Sequence, residues 1–256
     1  MKKLLRKYYR EIATYGSALV KNPKTPKQKF VVFFRPRAGS NLVVDLINSH
    51  PEVYCDGEIF GVGHVGKVLF PKLYLKGRWL RANNKNVYGY KINLNQIVKQ
   101  GFGPKIFLSD LQQQDCKIIY TERLNSLRQA ASFLIAEKRK KWVGTAENQL
   151  TGKVSIDCHA LVSKIERLEK AISLEKELLA PYPYLHLAYE TDLLSAEQHQ
   201  ATSDRVFEFL GLESLPVKTE RVKTAPSHNL ADVIENYDEV ESVVSQTKFA
   251  KFLNQP

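Results

Sequence analysis

The chain has 256 residues, 43% of them apolar and 25% charged. That balance excludes wholesale disorder, a collagen-like repeat and a coiled-coil rod, and suits one large domain or two small ones. The net charge of +11 is concentrated: residues 1–30 hold nine Lys/Arg against Glu11 alone, a surplus of eight, leaving +3 for the other 226 residues. The body is thus nearly balanced, and no nucleic-acid partner is expected. Three widely spaced cysteines, Cys55, Cys116 and Cys158, do not form a disulfide framework or a zinc knuckle. No run reaches the roughly 18 apolar residues of a membrane span, and the charges of MKKLLRKYYREIATYG interrupt any signal-peptide core. A cytoplasmic protein is the expectation.

In chain order, residues 1–29 read as a basic helix followed by a Lys/Pro-rich linker, NPKTPKQK. A solvated helix is the plain reading of this arm. The sharper one is a peripheral contact with a membrane or polyanion through Leu4, Leu5, Tyr8 and Tyr9 beside the cations. The short apolar stripe favours the plain reading. FVVFF (30–34) is a continuous run of β-formers, as in a strand covered on both faces. RPRAGSN (35–41) is a tight polar loop, and Leu42, Val43, Leu46 and Ile47 then follow at helical spacing until Pro51. VYGYKI (87–92) and KIIYT (117–121) predict two more buried strands, the second running into a helix with Leu127, Ala131, Leu134 and Ile135 on one face. Residues 157–179 predict a helix striped by Leu161, Ile165, Leu168 and Ile172. YLHLAY (184–189) predicts a fourth strand, and 196–210 a helix capped by Gly211. Strands alternating with helices specify an α/β class, a central mainly parallel sheet flanked by helices. Residues 30–256 read as one domain.

The loop after the first strand is the natural anion site. In open parallel sheets ligands gather at the carboxyl ends of strands, and a helix N-terminus offers free N–H groups. Arg35, Arg37, Ala38, Gly39, Ser40 and Asn41 occupy that position. Glycine lets the backbone approach an oxyanion, Ser40 and Asn41 can donate, and arginine adds planar charge. GxxxxGK[ST] is absent, so the lysine and the Mg²⁺-binding hydroxyl of an NTPase lack their places. A group transfer without metal fits better, because a sulfuryl group carries less charge than a γ-phosphoryl and fixed cations can suffice.

With these residues in place, FVVFFRPRAGSNLVVDLINSHPEVYCDGEIF (30–60) resembles the opening of sulfotransferases that use 3′-phosphoadenosine-5′-phosphosulfate (PAPS). That family's loop for the 5′-phosphosulfate reads P-[KR]-x-G-[ST]-[TN]. Pro36, Arg37, Gly39, Ser40 and Asn41 match it, and Leu42, Leu46, His50 and Pro51 match the helix beyond. YTERLNSLRQAASFLIA (120–136) is similar to the family's 3′-phosphate segment, which places Arg123 and Ser132 on that phosphate. LAYETDLLS…FEFLGL (187–212) and the tail from Lys223 resemble the bacterial and carbohydrate-modifying branch. The resemblance implies a P-loop NTPase-like sulfotransferase fold, PAPS as co-substrate with 3′,5′-ADP as product, no metal, and a small-molecule, sugar or lipid acceptor.

The departures are specific. Arg37 stands where cytosolic members carry Lys, Arg123 and Ser132 are one residue further apart than the usual spacing, and the cytosolic R-K-G-x-x-G tail is missing. Arg128 could share the 3′-phosphate, and Lys218, Arg221 and Lys223 could replace the tail's cations. Glu58 in CDGEIF stands where related enzymes place their general base. His64 and His50 are the alternatives, and an ion pair with Arg35 or Arg37 is the structural role Glu58 could have instead. Lys91, ending VYGYKI, corresponds to a lysine that steadies the transferring group in relatives, although a strand-end lysine is commonly a surface residue. Two rivals remain from the residues themselves: an ATP-dependent small-molecule kinase on a degenerate P-loop, and a non-catalytic polyanion-binding module.

Overall fold

The apolar run becomes the middle strand of the sheet. In the computed structural model, which describes residues 2–20, 25–61, 64–80, 85–142, 152–219 and 229–255, β1 (Gln28–Phe34) lies between β3 (Val87–Ile92) and β4 (Cys116–Glu122). The strand β2 (Val53–Glu58) pairs outside β3, and β5 (Tyr184–Ala188) outside β4. The described strands thus form a five-stranded sheet in the order β2-β3-β1-β4-β5, with every pair parallel. This is the parallel sheet flanked by helices that the alternating pattern predicts.

Side chains of β1 alternate between two cores, which is why none of residues 30–34 is polar. Val31 and Phe33 face α5 (Pro104–Gln113) and the end of α7 (Cys158–Leu179) through Phe107, Leu111 and Leu179. Phe30, Val32 and Phe34 face α2 (Ser40–Asn48) and α8 (Gln198–Leu210) through Val43, Leu46, Val206 and Leu210. Burial of each such side chain contributes about 1.5–3 kcal/mol. A third cluster joins α6 (Ser126–Arg139), α7 and α9 (Tyr237–Ser245) through Leu127, Ile165 and Val240.

Two differences from the sequence reading matter for the site. The strand β2 was not expected. It is an edge strand ending in Asp56, Gly57 and Glu58, too polar to show an apolar alternation. The expected strand 184–189 stops at Ala188, and Tyr189–Leu193 form one turn of π-helix, a local widening frequently found at functional sites. The helix before Gly211 ends as expected, with that glycine left-handed at φ 73°.

The first helix, α1 (Lys2–Ala18), is solvated on one side only. Its inner side docks on α3 (Pro71–Trp79), where Gly77 is required: a Cβ there would lie 1.9 Å from the Thr14 carbonyl oxygen. Glu11 accepts a hydrogen bond from the Leu69 N–H at 2.8 Å, and the Tyr15 hydroxyl accepts one from the Phe70 N–H at 2.9 Å. These groups lie just before the N-terminus of α3, where acceptors are favoured.

Candidate functional site

All five strands run the same way, so their carboxyl ends share one edge. β1 sits where the chain's connections leave in opposite directions, to β2 on one side and from β3 to β4 on the other. That is the crevice position for a ligand in such sheets. A pocket of about 430 Å³ opens there, lined among others by Arg37, Ser40, Asn41, Glu58, His64 and Lys91.

The loop leaving β1 is shaped for close approach. Arg37 and Gly39 both have positive φ, 71° and 81°. The first is a costly conformation for a residue with a side chain, and such strain clusters at ligand sites. Gly39 has no alternative, because a Cβ would press on Leu193 at 2.7 Å and on the Tyr189 ring at 2.8 Å. Ala38 is fully buried, so only its backbone serves the loop. Ser40 opens α2, placing the N-terminal end of that helix at the pocket.

On the β2–β3 side the site is a tied cluster. Lys91 is only 2% exposed, lies 4.4 Å over the Phe34 ring and donates to the Asn41 side-chain oxygen. It also faces Glu58 Oε1 at 3.7 Å. A β-bulge between Asp56 and Glu58 brings Glu58 opposite Lys91 in register, a device that re-aims a strand-end side chain. Glu58 Oε2 accepts a 2.8 Å hydrogen bond from Gln96 Nε2, yet the carboxylate side chain remains 41% exposed. Gln96 is fixed by a capping box with Asn93 at the start of α4 (Leu94–Lys99). Glu58 is therefore held by Lys91 and Gln96, not by Arg35 or Arg37, and its open side faces the pocket.

On the β4 side the arrangement differs. Arg37 Nε donates to Ser132 Oγ at 2.9 Å, and its Nη1 to the Trp142 carbonyl at 2.8 Å. Burial, and then the neighbouring Arg123 charge, push the Arg37 pKa below its ordinary value. Arg123, at the end of β4, stacks 4.7 Å over the Tyr189 ring, and burial lowers its pKa as well. Its Nε lies 3.7 Å from Glu190, whose carboxylate also accepts from the Leu124 and Asn125 N–H groups at 2.9 and 3.2 Å. Tyr189 thus touches both anion segments, with Gly39 on one side and Arg123 on the other. Two partly desolvated guanidinium groups share this side, an arrangement that an anion would relieve.

The structure brings Arg37, Ser40, Asn41, Glu58 and Lys91 into the pocket, with Ser132 bonded to Arg37 and Arg123 beside it. It does not bring Arg35 there. That side chain is buried on an α7 carboxylate, Arg35 Nη2 to Glu175 Oε2 being 2.7 Å. An arginine directly after a buried strand alternates into the layer beneath the sheet, and only the residues past Pro36 reach the edge. Lys223 and Arg221 lie outside the described residues, while Lys218 is exposed. Arg128 bonds the Gln255 carbonyl at 3.3 Å. His64 lines the pocket, and burial with the Arg78 and Arg10 charges depresses its pKa to about 4, so it is neutral at pH 7. His50 serves the helix end instead: its Nδ1 accepts from the Glu52 N–H at 3.1 Å, and its Nε2 lies 3.2 Å from the Glu213 carbonyl.

Sequence reasoning missed Gln96, Tyr189 and Glu190, and also Asp56, a pocket residue held by Arg78, Tyr54 and Tyr88. The N-x-x-Q spacing after β3 was the one legible signal among them. Trp142 lines the pocket at its outer side and packs edge-on against Phe133. Among the described residues no group of three or more His, Cys, Asp or Glu is placed to hold a metal ion.

No family model matches the chain. Over 129 residues, 46% of this chain and 51% of the relative, it is 29% identical to Nodulation protein H of Rhizobium meliloti (strain 1021). The chain therefore spans about half the length of the curated relative it matches. Among solved structures it is similar to mouse sulfotransferase SULT7A1 complexed with PAP, with a TM-score of 0.46 and 12% identity over 94% of this chain and 92% of that one.

Proposed function

We propose that this protein is a sulfotransferase that moves the sulfuryl group of PAPS to a hydroxyl of a small-molecule, sugar or lipid acceptor. The observation that carries the reading is the Lys91 bridge. One buried ammonium touches Asn41 of the anion loop and faces the carboxylate of Glu58, so the site for the transferring group and the candidate base lie side by side. The likeness to Nodulation protein H and the loop RPRAGSN support it. PAPS carries two anionic ends, and the residues present suit both. Arg37, Ser40, Asn41 and the N-terminus of α2 would hold the 5′-phosphosulfate, and Arg123 with Ser132 the 3′-phosphate. The burial of Arg37 and Arg123, which lowers both pKa values, with the Arg123 charge lowering that of Arg37 further, is the property of this structure that fits such a ligand.

PAPS supplies an activated sulfur–oxygen bond that an acceptor oxygen displaces in line. Glu58, open to the pocket and steadied by Gln96, takes the acceptor's proton. Lys91 and Arg37 place positive charge where the bridging oxygen gains negative charge as the sulfuryl group leaves, a positioning and electrostatic strategy. The reading excludes a need for Mg²⁺, since no Walker lysine or hydroxyl stands in the loop.

The test is label transfer. Acceptor pools incubated with sulfur-labelled PAPS and excess EDTA should yield a labelled product by mass spectrometry, absent with Glu58→Gln. Phosphorylated product formed only with ATP–Mg²⁺ would replace this reading with the kinase one.

A further inference from the structure

The first helix has its apolar residues on the wrong side for a helix docked on a domain. Leu5, Tyr9 and Ile12, spaced four and three residues apart along one face, and Leu19 just past the helix end in line with them, are 63%, 76%, 67% and 73% exposed. The opposite face, with Glu11, Thr14 and Ala18 buried, is the one that packs on α3. An isolated exposed leucine needs no explanation, but a stripe along the whole outer face does. The stripe continues beside the helix in Leu69 and Phe70, both exposed, with Phe70 packed edge-on against Tyr15 at 5.8 Å. Exposed cations, Arg6 and Arg10, four residues apart, line one margin of it. The one acid of residues 1–30, Glu11, is turned inward onto the Leu69 N–H and the Tyr15 hydroxyl, so no carboxylate from this segment offsets them.

We propose that the outer face of α1 is a docking surface for an anionic lipid bilayer, with Leu5, Tyr9, Ile12 and Leu19 entering the interface and Arg6 and Arg10 meeting the headgroups. Apolar side chains on one face and cations at its margins are the signature of a helix lying in the interfacial plane. Each such cation near an anionic surface adds to binding and is screened by salt. No helix among the described residues is long and apolar enough to cross a membrane, so the helix lies on the surface and does not span it. A second copy of the chain is the poorer occupant. Helices paired through such a stripe gain from opposite charges at its margins, and here Arg6 and Arg10 would find no carboxylate of this segment on a second copy, because Glu11 is turned inward.

Docking would place the bilayer close to the pocket. The helix backs the 64–70 segment: Glu11 holds Leu69, a Cβ on Gly66 would come within 4.0 Å of Lys7 Nζ, and the Arg10 charge acts on pocket-lining His64. A bilayer on the outer face of α1 would lie about one helix diameter, roughly 10 Å, from that wall. The docking itself does not depend on the sulfotransferase reading, and its test reads no turnover.

The experiment is flotation of the full chain with vesicles of phosphatidylcholine containing phosphatidylserine, and with vesicles of phosphatidylcholine alone. Partition should be at least about tenfold stronger on the anionic vesicles and should fall as salt is raised. Leu5→Asp/Ile12→Asp should lower it by about tenfold or more at an unchanged melting temperature, because both side chains are already exposed. Arg6→Glu/Arg10→Glu should abolish the preference for anionic lipid. Failure of the wild type to float with either vesicle would overturn the proposal, as would equal flotation of the Leu5→Asp/Ile12→Asp protein. A concentration-dependent dimer, lost in that variant and indifferent to vesicles, would assign the face to a second copy.

Discussion

The two sides of the pocket treat positive charge in opposite ways. On the β2–β3 side Lys91 is buried, but Asn41 accepts its hydrogen bond and Glu58 balances its charge. On the β4 side Arg37 and Arg123 are also largely buried, burial lowers both pKa values and the Arg123 charge lowers that of Arg37 further; among the described residues the carboxylate in ion-pair range is Glu190, beside Arg123. A cation already paired is a fixed part of the machinery. Cations left crowded are waiting for an anion, because ligand binding removes a cost the folded protein otherwise bears. On the proposed function the first side serves chemistry and the second binding, and variants on the two sides should then separate kcat from affinity.

The largest expected effect lies on the chemical side. Glu58→Gln keeps the shape and the contact with Gln96 but cannot take a proton at neutral pH, so kcat should fall by about 10²–10⁴-fold with 3′,5′-ADP affinity unchanged. Loss of both would show that Glu58 orders the loop through Lys91 rather than acting on the acceptor. Retained turnover, with loss in His64→Ala, would transfer the role to His64, which is neutral at pH 7 and therefore able to accept a proton.

On the binding side, Arg123→Ala should weaken 3′,5′-ADP by roughly tenfold to a hundredfold and AMP much less, the range expected for one charge-assisted contact. Equal losses in calorimetry would move the 3′-phosphate contact to Arg128. Gln96→Leu sharpens the comparison from the other direction. Removing one hydrogen bond to Glu58 should lower kcat by up to about tenfold while leaving 3′,5′-ADP affinity alone. A change in affinity and not in kcat would place Gln96 with the binding half.

The smallest effect on turnover belongs to a pair beneath the sheet. Burial outweighs Arg35 and raises the Glu175 pKa from 4.5 to about 7. The folded state therefore holds this proton more tightly than the unfolded chain, and the contribution to stability is full below about pH 4.5 and lost as pH rises through 7. Denaturant unfolding of wild type and Glu175→Gln across that window should show their stability difference shifting against the wild type with rising pH. A flat difference would mean that the ion pair, not burial, sets the titration.

How much of this was legible in the sequence depends on how local the signal is. FVVFF followed by RPRAGSN announces a buried strand and an anion loop, because both signals lie within a dozen consecutive residues. Glu58 and Lys91 could be named, but the strand carrying Glu58 was invisible: an edge strand ending Asp-Gly-Glu shows no apolar alternation, and its bulge leaves no trace in composition. Gln96 was missed although its capping box with Asn93 leaves a local N-x-x-Q signal. Glu190 on the 123–125 backbone and Glu175 on Arg35 were not legible, because each partner comes from a distant segment brought close only by the sheet order. Arg35 shows the same limit from the other side, since adjacency to the loop suggested the site and strand alternation took it elsewhere. In the sequence the short apolar stripe of Leu4, Leu5, Tyr8 and Tyr9 reads as part of a solvated helix. Only the docking of the face with Glu11, Thr14 and Ala18 on α3 shows that Leu5, Tyr9 and Ile12 point away from the protein.

The central claim, that the crowded arginines await a ligand with two separate anionic ends, is tested most directly by calorimetric titration of the intact protein. One series would compare 3′,5′-ADP, AMP and ATP–Mg²⁺ at fixed ionic strength. Tightest binding of 3′,5′-ADP, with the advantage over AMP removed by Arg123→Ala, is the result expected here. Tighter binding of ATP–Mg²⁺ than of 3′,5′-ADP, or equal binding of 3′,5′-ADP and AMP, would contradict it.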